Sequence, residues 1–459
     1  MKRKNIGFIS TRFAGTDGVS LEASKWVQVL EKNGYRCFWF AGELDRDPEK
    51  SYLVPEAHFL HVKNQWINEQ VMGRKGRKPS VTEAIHTLRS LLKVQLHGFI
   101  DRFNIDLLIV ENALTIPIHI PLGLALSEVI AETETPTIAH HHDFYWERDR
   151  FSTNGVNDYL RMAFPPNLPN IKHVVINSEA QEQLALRAGI SSIIIPNVLD
   201  FENPPLVDMK RTKAFRKSIG LKADDKMILQ PTRIIPRKGI EQAIELVKEL
   251  KDPRYKLVIS HEAGDEGFEY AEWLEEYALE HHVDLRMITP KIVDPFYNGN
   301  CPKRYSLWDI YPHADLITYP SLYEGFGNAF LEAIYFKKPI LVNRYSIFIR
   351  DLEPRGFDLA VMDGFISKKT VQKVKEVLES PERRQNMVNN NYEVAWRHYS
   401  YSVLRNQFNA IINDFFNDHE YYQLLNELSD TPQIVRLNND LFADPYDPLS
   451  GKIEGHMPN

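Results

Sequence analysis

Short apolar runs alternate with amphipathic helical stretches along nearly the whole chain, and the alternation stops and restarts near residue 205. In the first half, residues 5–10, 36–41, 107–111, 137–140, 173–177 and 193–196 read as strands, and 20–32 as a helix with Leu21, Trp26, Val27 and Leu30 on one face. After a Pro-containing joint and a charged run, strands are expected again at 226–230, 256–260, 285–289, 316–319 and 339–342, with helices at 239–250 and 328–336. Strands apolar throughout must be buried on both faces, so the pattern demands two parallel sheets, each covered by helices. Ligands of such sheets bind beyond the carboxyl ends of the strands, which puts the expected site in the cleft between the two units. The expected division is 1–205, 206–430, with final helices that cross back to the first unit, and an extended tail at 431–459.

Composition narrows the class. The net charge of -7 gives no electrostatic case for nucleic acid as a partner. Two cysteines, Cys37 and Cys301, cannot build a disulfide framework, which points to a reducing compartment, the cytoplasm. The apolar stretch at 116–130 is broken by Pro117, His119, Pro121 and Glu128, so it is not a bilayer span. A basic loop at 73–78 followed by an amphipathic helix at 81–103 is the one feature that suits a membrane surface.

Three stretches carry chemistry. In the first, Glu324-Gly325-Phe326-Gly327-Asn328 follows an expected strand, and Glu332 lies about one turn into the next helix. The two glycines permit positive φ and a close ligand approach, and Asn328 is expected to cap a helix whose free N–H groups suit a phosphate. Paired carboxylates at these positions suit vicinal sugar hydroxyls. In the second, Arg233, Arg237 and Lys238 sit beside another helix start, where cations stabilise a departing diphosphate. In the third, His140-His141-His142-Asp143 ends a strand. Alternate strand residues face opposite ways, so only His140 and His142 share a face, and no metal site is expected. Tyr145 and Trp146 are the candidate acceptor platform. The glycines at 15 and 18 do not form G-x-G-x-x-G, which argues against a dinucleotide-dependent dehydrogenase.

The spacing of Glu324 and Glu332 resembles the E-x7-E motif of retaining GT-B-fold glycosyltransferases, and Glu-Gly-Phe-Gly is similar to family four, the group 1 glycosyl transferases. Arg233 and Lys238 match that family's Arg…Lys-Gly pattern, and His142, with His140 second, matches its strand-end histidine. The likeness covers roughly residues 5 to 415. It implies a GT-B fold, two Rossmann-like domains with parallel sheets facing a central cleft. It also implies transfer of a hexose, glucose or mannose, from a UDP- or GDP-sugar with retention. Glu324 and His142 would then orient the sugar, Glu332 would hold the ribose, and Arg233 and Lys238 the diphosphate. Gly18, Gly325, Phe326, Gly327 and Asn328 would border the donor, with no cofactor and no essential divalent metal. The acceptor would be a hydroxyl of a sugar or small polyol-like compound. Alternatives are a GT-B-fold epimerase or hydrolase, a membrane glycolipid acceptor, and a non-enzymatic nucleotide-sugar-binding partner.

Overall fold

The computed structural model describes residues 4–15, 17–204, 209–261, 268–288, 292–293 and 305–429. The expected tail at 431–459 and the neighbourhood of Cys301 lie outside the described residues. Residues Met1–Arg405 form one compact unit that holds both sheets; the second unit, Asn406–Asn459, is helical through Ser429.

The first sheet contains β1 (Asn5–Ile9), β2 (Arg36–Ala41), β3 (Ser51–Leu53), β4 (Leu107–Glu111), β5 (Thr137–His141), β6 (Ile171–Val175) and β7 (Ser192–Ile194). Their order is β3-β2-β1-β4-β5-β6-β7, all parallel. The second contains β8 (Lys226–Gln230), β9 (Tyr255–Ile259), β10 (Leu285–Met287), β13 (Leu316–Tyr319), β14 (Ile340–Asn343) and β15 (Ala360–Met362), ordered β10-β9-β8-β13-β14-β15. Two short strands, β11 (Ile292–Val293) and β12 (Tyr305–Ser306), pair only with each other. Strand order reverses direction between β1 and β4 in one sheet and between β8 and β13 in the other. Crevices open at such points, and these are where the chemistry-bearing loops emerge.

The local reasons are legible in the residues. Every residue of β4 is buried, as a central strand under two helical layers requires. The helix Pro79–Phe103 starts with proline at its first turn and ends where Asn104 turns left-handed at φ 47. It buries Val81, Ile85, Leu88, Leu92, Leu96, Phe99 and Phe103 in the first core. Its buried apolar stripe therefore packs on its own domain, at ~1.5–3 kcal/mol per large side chain. Among the described residues, no helix is long and apolar enough to cross a membrane.

Near the end of the first unit, Leu199 N donates to Tyr399 O at 3.0 Å, and Tyr401 Oη donates to Gln28 Oε1 at 3.2 Å.

Candidate functional site

After β8 the chain makes a 3-10 turn, Pro236–Lys238, and Gly239 at φ 59 launches the helix Ile240–Leu250. A Cβ on Gly239 would sit 2.6 Å from the Pro320 carbonyl, so glycine alone lets this turn lie against the loop that follows β13. That contact seats Lys238 on Glu324. Their side chains form an ion pair, and both are buried, 8% and 7% exposed. Arg237 Nη1 joins from the side, 3.3 Å from Glu324 Oε2 and 3.1 Å from the Tyr323 carbonyl. Burial pushes the Glu324 carboxyl up, but Lys238 outweighs it and the net shift is down. Burial also pulls the Lys238 ammonium down, aided by the charges of Arg237 and Arg233 and opposed by Glu324. Arg233 is exposed, near enough for its charge to reach Lys238. His261, at the end of β9, is held neutral, first by burial and then by Lys238 and Arg233, at about 4.

The loop from Glu324 to Asn328 crosses toward the first sheet. Asn177 Nδ2 donates to Gly325 O at 2.5 Å, and a Cβ on Gly325 would lie 3.7 Å from His142 O. Gly325 does not take a left-handed φ, contrary to expectation; Gly327 does, at φ 113, and a Cβ there would press 2.8 Å from Tyr345 Oη. The helix is Asn328–Tyr335, as expected in position, but Gly327 is its cap residue and Asn328 does not cap it. The Asn328 side chain is occupied elsewhere: its Oδ1 accepts from Asn197 Nδ2 at 2.6 Å. Phe326 is buried, and its carbonyl accepts from Tyr345 Oη at 2.8 Å. Glu332 is partly exposed and accepts from Tyr311 Oη at 2.7 Å. Burial raises its carboxyl, with Tyr311 and the charge of Lys25 opposing.

On the other side, Glu111 and His140 are register partners at the ends of β4 and β5. Glu111 Oε2 accepts from His140 Nδ1 and from His142 Nε2, each at 2.9 Å. Burial alone would raise the Glu111 carboxyl, yet the two imidazoles outweigh it and hold it near 2. Burial pulls His142 down, but its hydrogen bond to Glu111 wins and raises it; His140, stacked on Trp26 at 4.0 Å, is lowered by burial. Of the two imidazoles, the protonated form is therefore favoured at His142 and disfavoured at His140. His141 points the opposite way, to Thr115 and to His173 at 2.9 Å, as strand alternation requires. The donor atoms of Glu111, His140 and His142 all lie within 4.8 Å of one another, a spacing that suits a metal ion as well as this proton-sharing network. Glu111 was invisible as a site residue because register between strands is not written in one sequence.

The remaining expectations fare unevenly. Gly18 opens the helix Gly18–Lys32, but the Asp17 carboxylate already accepts from Val19 N and Ser20 N at 3.1 Å. Tyr145 and Trp146 meet edge to face, their ring centroids 5.0 Å apart at 70°. Tyr145 packs on the first core, whereas Trp146 stacks on Phe144 at 4.5 Å and 7°. Between them and the Glu324 loop stands Glu147, whose Oε2 lies 3.4 Å from Tyr323 Oη and whose carboxyl is pushed up to about 7, by burial first and then by Asp143.

Two parallel α/β sheets with a cation–carboxylate–histidine cluster at their switch points define a GT-B architecture. Residues 211–394 match the family Glycosyl transferases group 1. Mannosylglucosylglycerate synthase of Petrotoga mobilis is 34% identical over 381 residues, which is 77% of this chain and 85% of that protein. The protein of the same name from Thermotoga maritima is 32% identical over 429 residues, 86% of this chain and 96% of that one. A glycosyltransferase structure from Rickettsia africae aligns with a TM-score of 0.66 at 12% identity, over 90% of this chain and 99% of that chain, a likeness of fold. The chain belongs to the glycosyl transferases group 1 family and is a glycosyltransferase. Membership implies a nucleotide-sugar donor and an acceptor.

Proposed function

We propose that this enzyme transfers a mannosyl group from a UDP- or GDP-sugar to a hydroxyl of a glucosylglycerate-type acceptor, with retention at the anomeric carbon. The observation that carries the reading is the ion pair of buried Lys238 with Glu324, set under a loop that reaches the carbonyl of His142. The names of the two relatives, each about a third identical over most of the chain, support the acceptor class.

In this reading Lys238 and Arg233 meet the diphosphate and stabilise the charge that grows on it as the glycosidic bond breaks. Glu324, released by Lys238, accepts from sugar hydroxyls, and the Glu111-backed His142 fixes the sugar from the other side. Glu332, held by Tyr311, takes the ribose. The departing phosphate accepts the acceptor's proton, so no protein nucleophile is needed.

Thermal shift with UDP- and GDP-linked glucose and mannose identifies the donor, and glucosylglycerate then tests the acceptor. The expected product is a retained mannosyl linkage on glucosylglycerate. Donor consumption at the same rate without acceptor would favour the epimerase or hydrolase alternative instead.

A further inference from the structure

The amino ends of β8, β13 and β14, at the end of the second sheet opposite the loops that carry Lys238 and Glu324, open onto a separate cavity of about 360 Å³. Its charges are unbalanced: Arg216, Lys226, Lys337, Lys338 and Arg384 line it against Asp225 and Asp315. Both acids are already engaged. Asp315 accepts from Met227 N at 2.9 Å and lies 3.5 Å from Lys226 Nζ, while Asp225 accepts from Lys222 N at 2.8 Å. Arg216 is tied to the carbonyls of Lys222 and Asp225 at 3.1 and 2.8 Å.

Of the five cations, only Lys226 has a carboxylate within ion-pair distance among the described residues; Arg216 is held by two carbonyls and Lys337 lies over the Tyr392 ring, 4.6 Å from its centre, which leaves Lys338 and Arg384 on the cavity wall. Lys338 Nζ donates to Pro312 O at 2.6 Å, and among the described residues no carboxylate ion-pairs with it or with Arg384. Burial presses the Lys338 ammonium down to about 8 against the opposing charge of Asp315, and Arg384 presses in the same direction as burial. A cation taken out of water costs several kcal/mol unless something compensates it, and a second cation beside it raises the cost. Lys338 in part serves the carbonyl ahead of β13. Arg384 has no such task; it stands in the first turn of the helix Pro381–Tyr399, whose positive end adds to the field.

We propose that this cavity is a second anion site, distinct from the donor site, that binds a small phosphate-bearing metabolite through Arg384 and Lys338. An arginine fork and a lysine point charge are the pair that phosphate recognition uses. The volume equals the share of roughly a dozen waters at ~30 Å³ each, more than a bare phosphate fills and enough for a short carbon chain. The wall also adjoins the donor side. Pro312 follows Tyr311, the partner of Glu332, and Lys337 and Lys338 follow the helix that carries Glu332.

The test is calorimetric titration of the full chain with glycerol 3-phosphate and, separately, inorganic phosphate, at constant ionic strength. The expected result is one saturable site, tighter for the ester. Arg384→Gln and Lys338→Gln should each weaken it at least tenfold, and Lys238→Ala should leave it within twofold. Arg384→Gln disturbs no side-chain hydrogen bond among the described residues, so its result stands even if Lys338→Gln unfolds the protein. Absence of saturable binding, or loss with Lys238→Ala but not Arg384→Gln, would overturn the site. Tighter binding of free phosphate than of the ester would overturn the metabolite.

Discussion

Glu111 and Glu324 are both buried carboxylates just past the core of a parallel sheet, yet they are held in opposite ways. Glu111 is fixed by strand register, facing His140 across the ladder and sharing one oxygen between two imidazoles. Glu324 stands on a loop, and its partners, Lys238 and Arg237, come from another loop at the neighbouring strand. Ladder-set contacts cannot change without moving a sheet. Loop-set ion pairs can exchange partners, and in the proposed reading an incoming diphosphate takes Lys238 from its carboxylate. In that proposed reading the first half of the site orients, and the second half exchanges.

The sharpest way to break this contrast is Glu324→Gln. Loss of an acceptor proposed for the reacting sugar is expected to cut kcat about 10²–10³-fold, and the melting temperature should fall as well, because buried Lys238 is left without its carboxylate, measured by steady-state kinetics and calorimetry together. Next in size is Glu111→Gln, where the effect should fall on stability, about 3 kcal/mol by denaturant unfolding, because the two buried imidazoles lose the carboxylate that accepts from both. The sign of its pH dependence follows from the shifts. The raised His142 contributes stability that is present below its ordinary value of 6.5 and lost as pH rises through its folded value. The lowered Glu111 contributes stability present above 4.5 and lost as pH falls toward about 2. NMR titration should place His142 above 6.5 in the native chain and lower in Glu111→Gln, where only the charges of Glu22 and Asp143 still oppose burial. A His142 value unchanged by that substitution would dissolve the orienting half of the comparison.

Gly327→Ala should cost about 1–3 kcal/mol of stability, from a left-handed backbone and from contact with Tyr345. The smallest effect is expected from Tyr311→Phe. Leaving Glu332 without its hydroxyl donor should raise the donor KM about tenfold or less, ~1 kcal/mol, and leave kcat alone. An equal fall in kcat would mean that Glu332 touches the reacting centre.

What could be read from residues alone follows the same division. The loops after β8 and β13 were legible because each gathers its cations, acids and glycines in one short stretch, so chemistry and spacing are local. Glu111 read only as the last residue of an apolar strand, since its meaning comes from lying opposite His140. The edge strands β3 and β15 were missed because three residues such as Ser51–Leu53 show no period. β6 was placed two residues late, at 173–177 rather than Ile171–Val175, because Asn177 starts the next helix as its cap. Asn328 was read as a cap by its type, but its amide is drawn across to Asn197, a contact distant in sequence.

Single-turnover transfer by Lys238→Ala, with a saturating nucleotide-sugar and glucosylglycerate, tests the exchange of partners most directly. The account predicts a rate at least a hundredfold below the native enzyme, with donor affinity weakened and the fold intact by circular dichroism. A rate within threefold of native would contradict it, because the departing diphosphate would then be leaving without the cation on which the site is built.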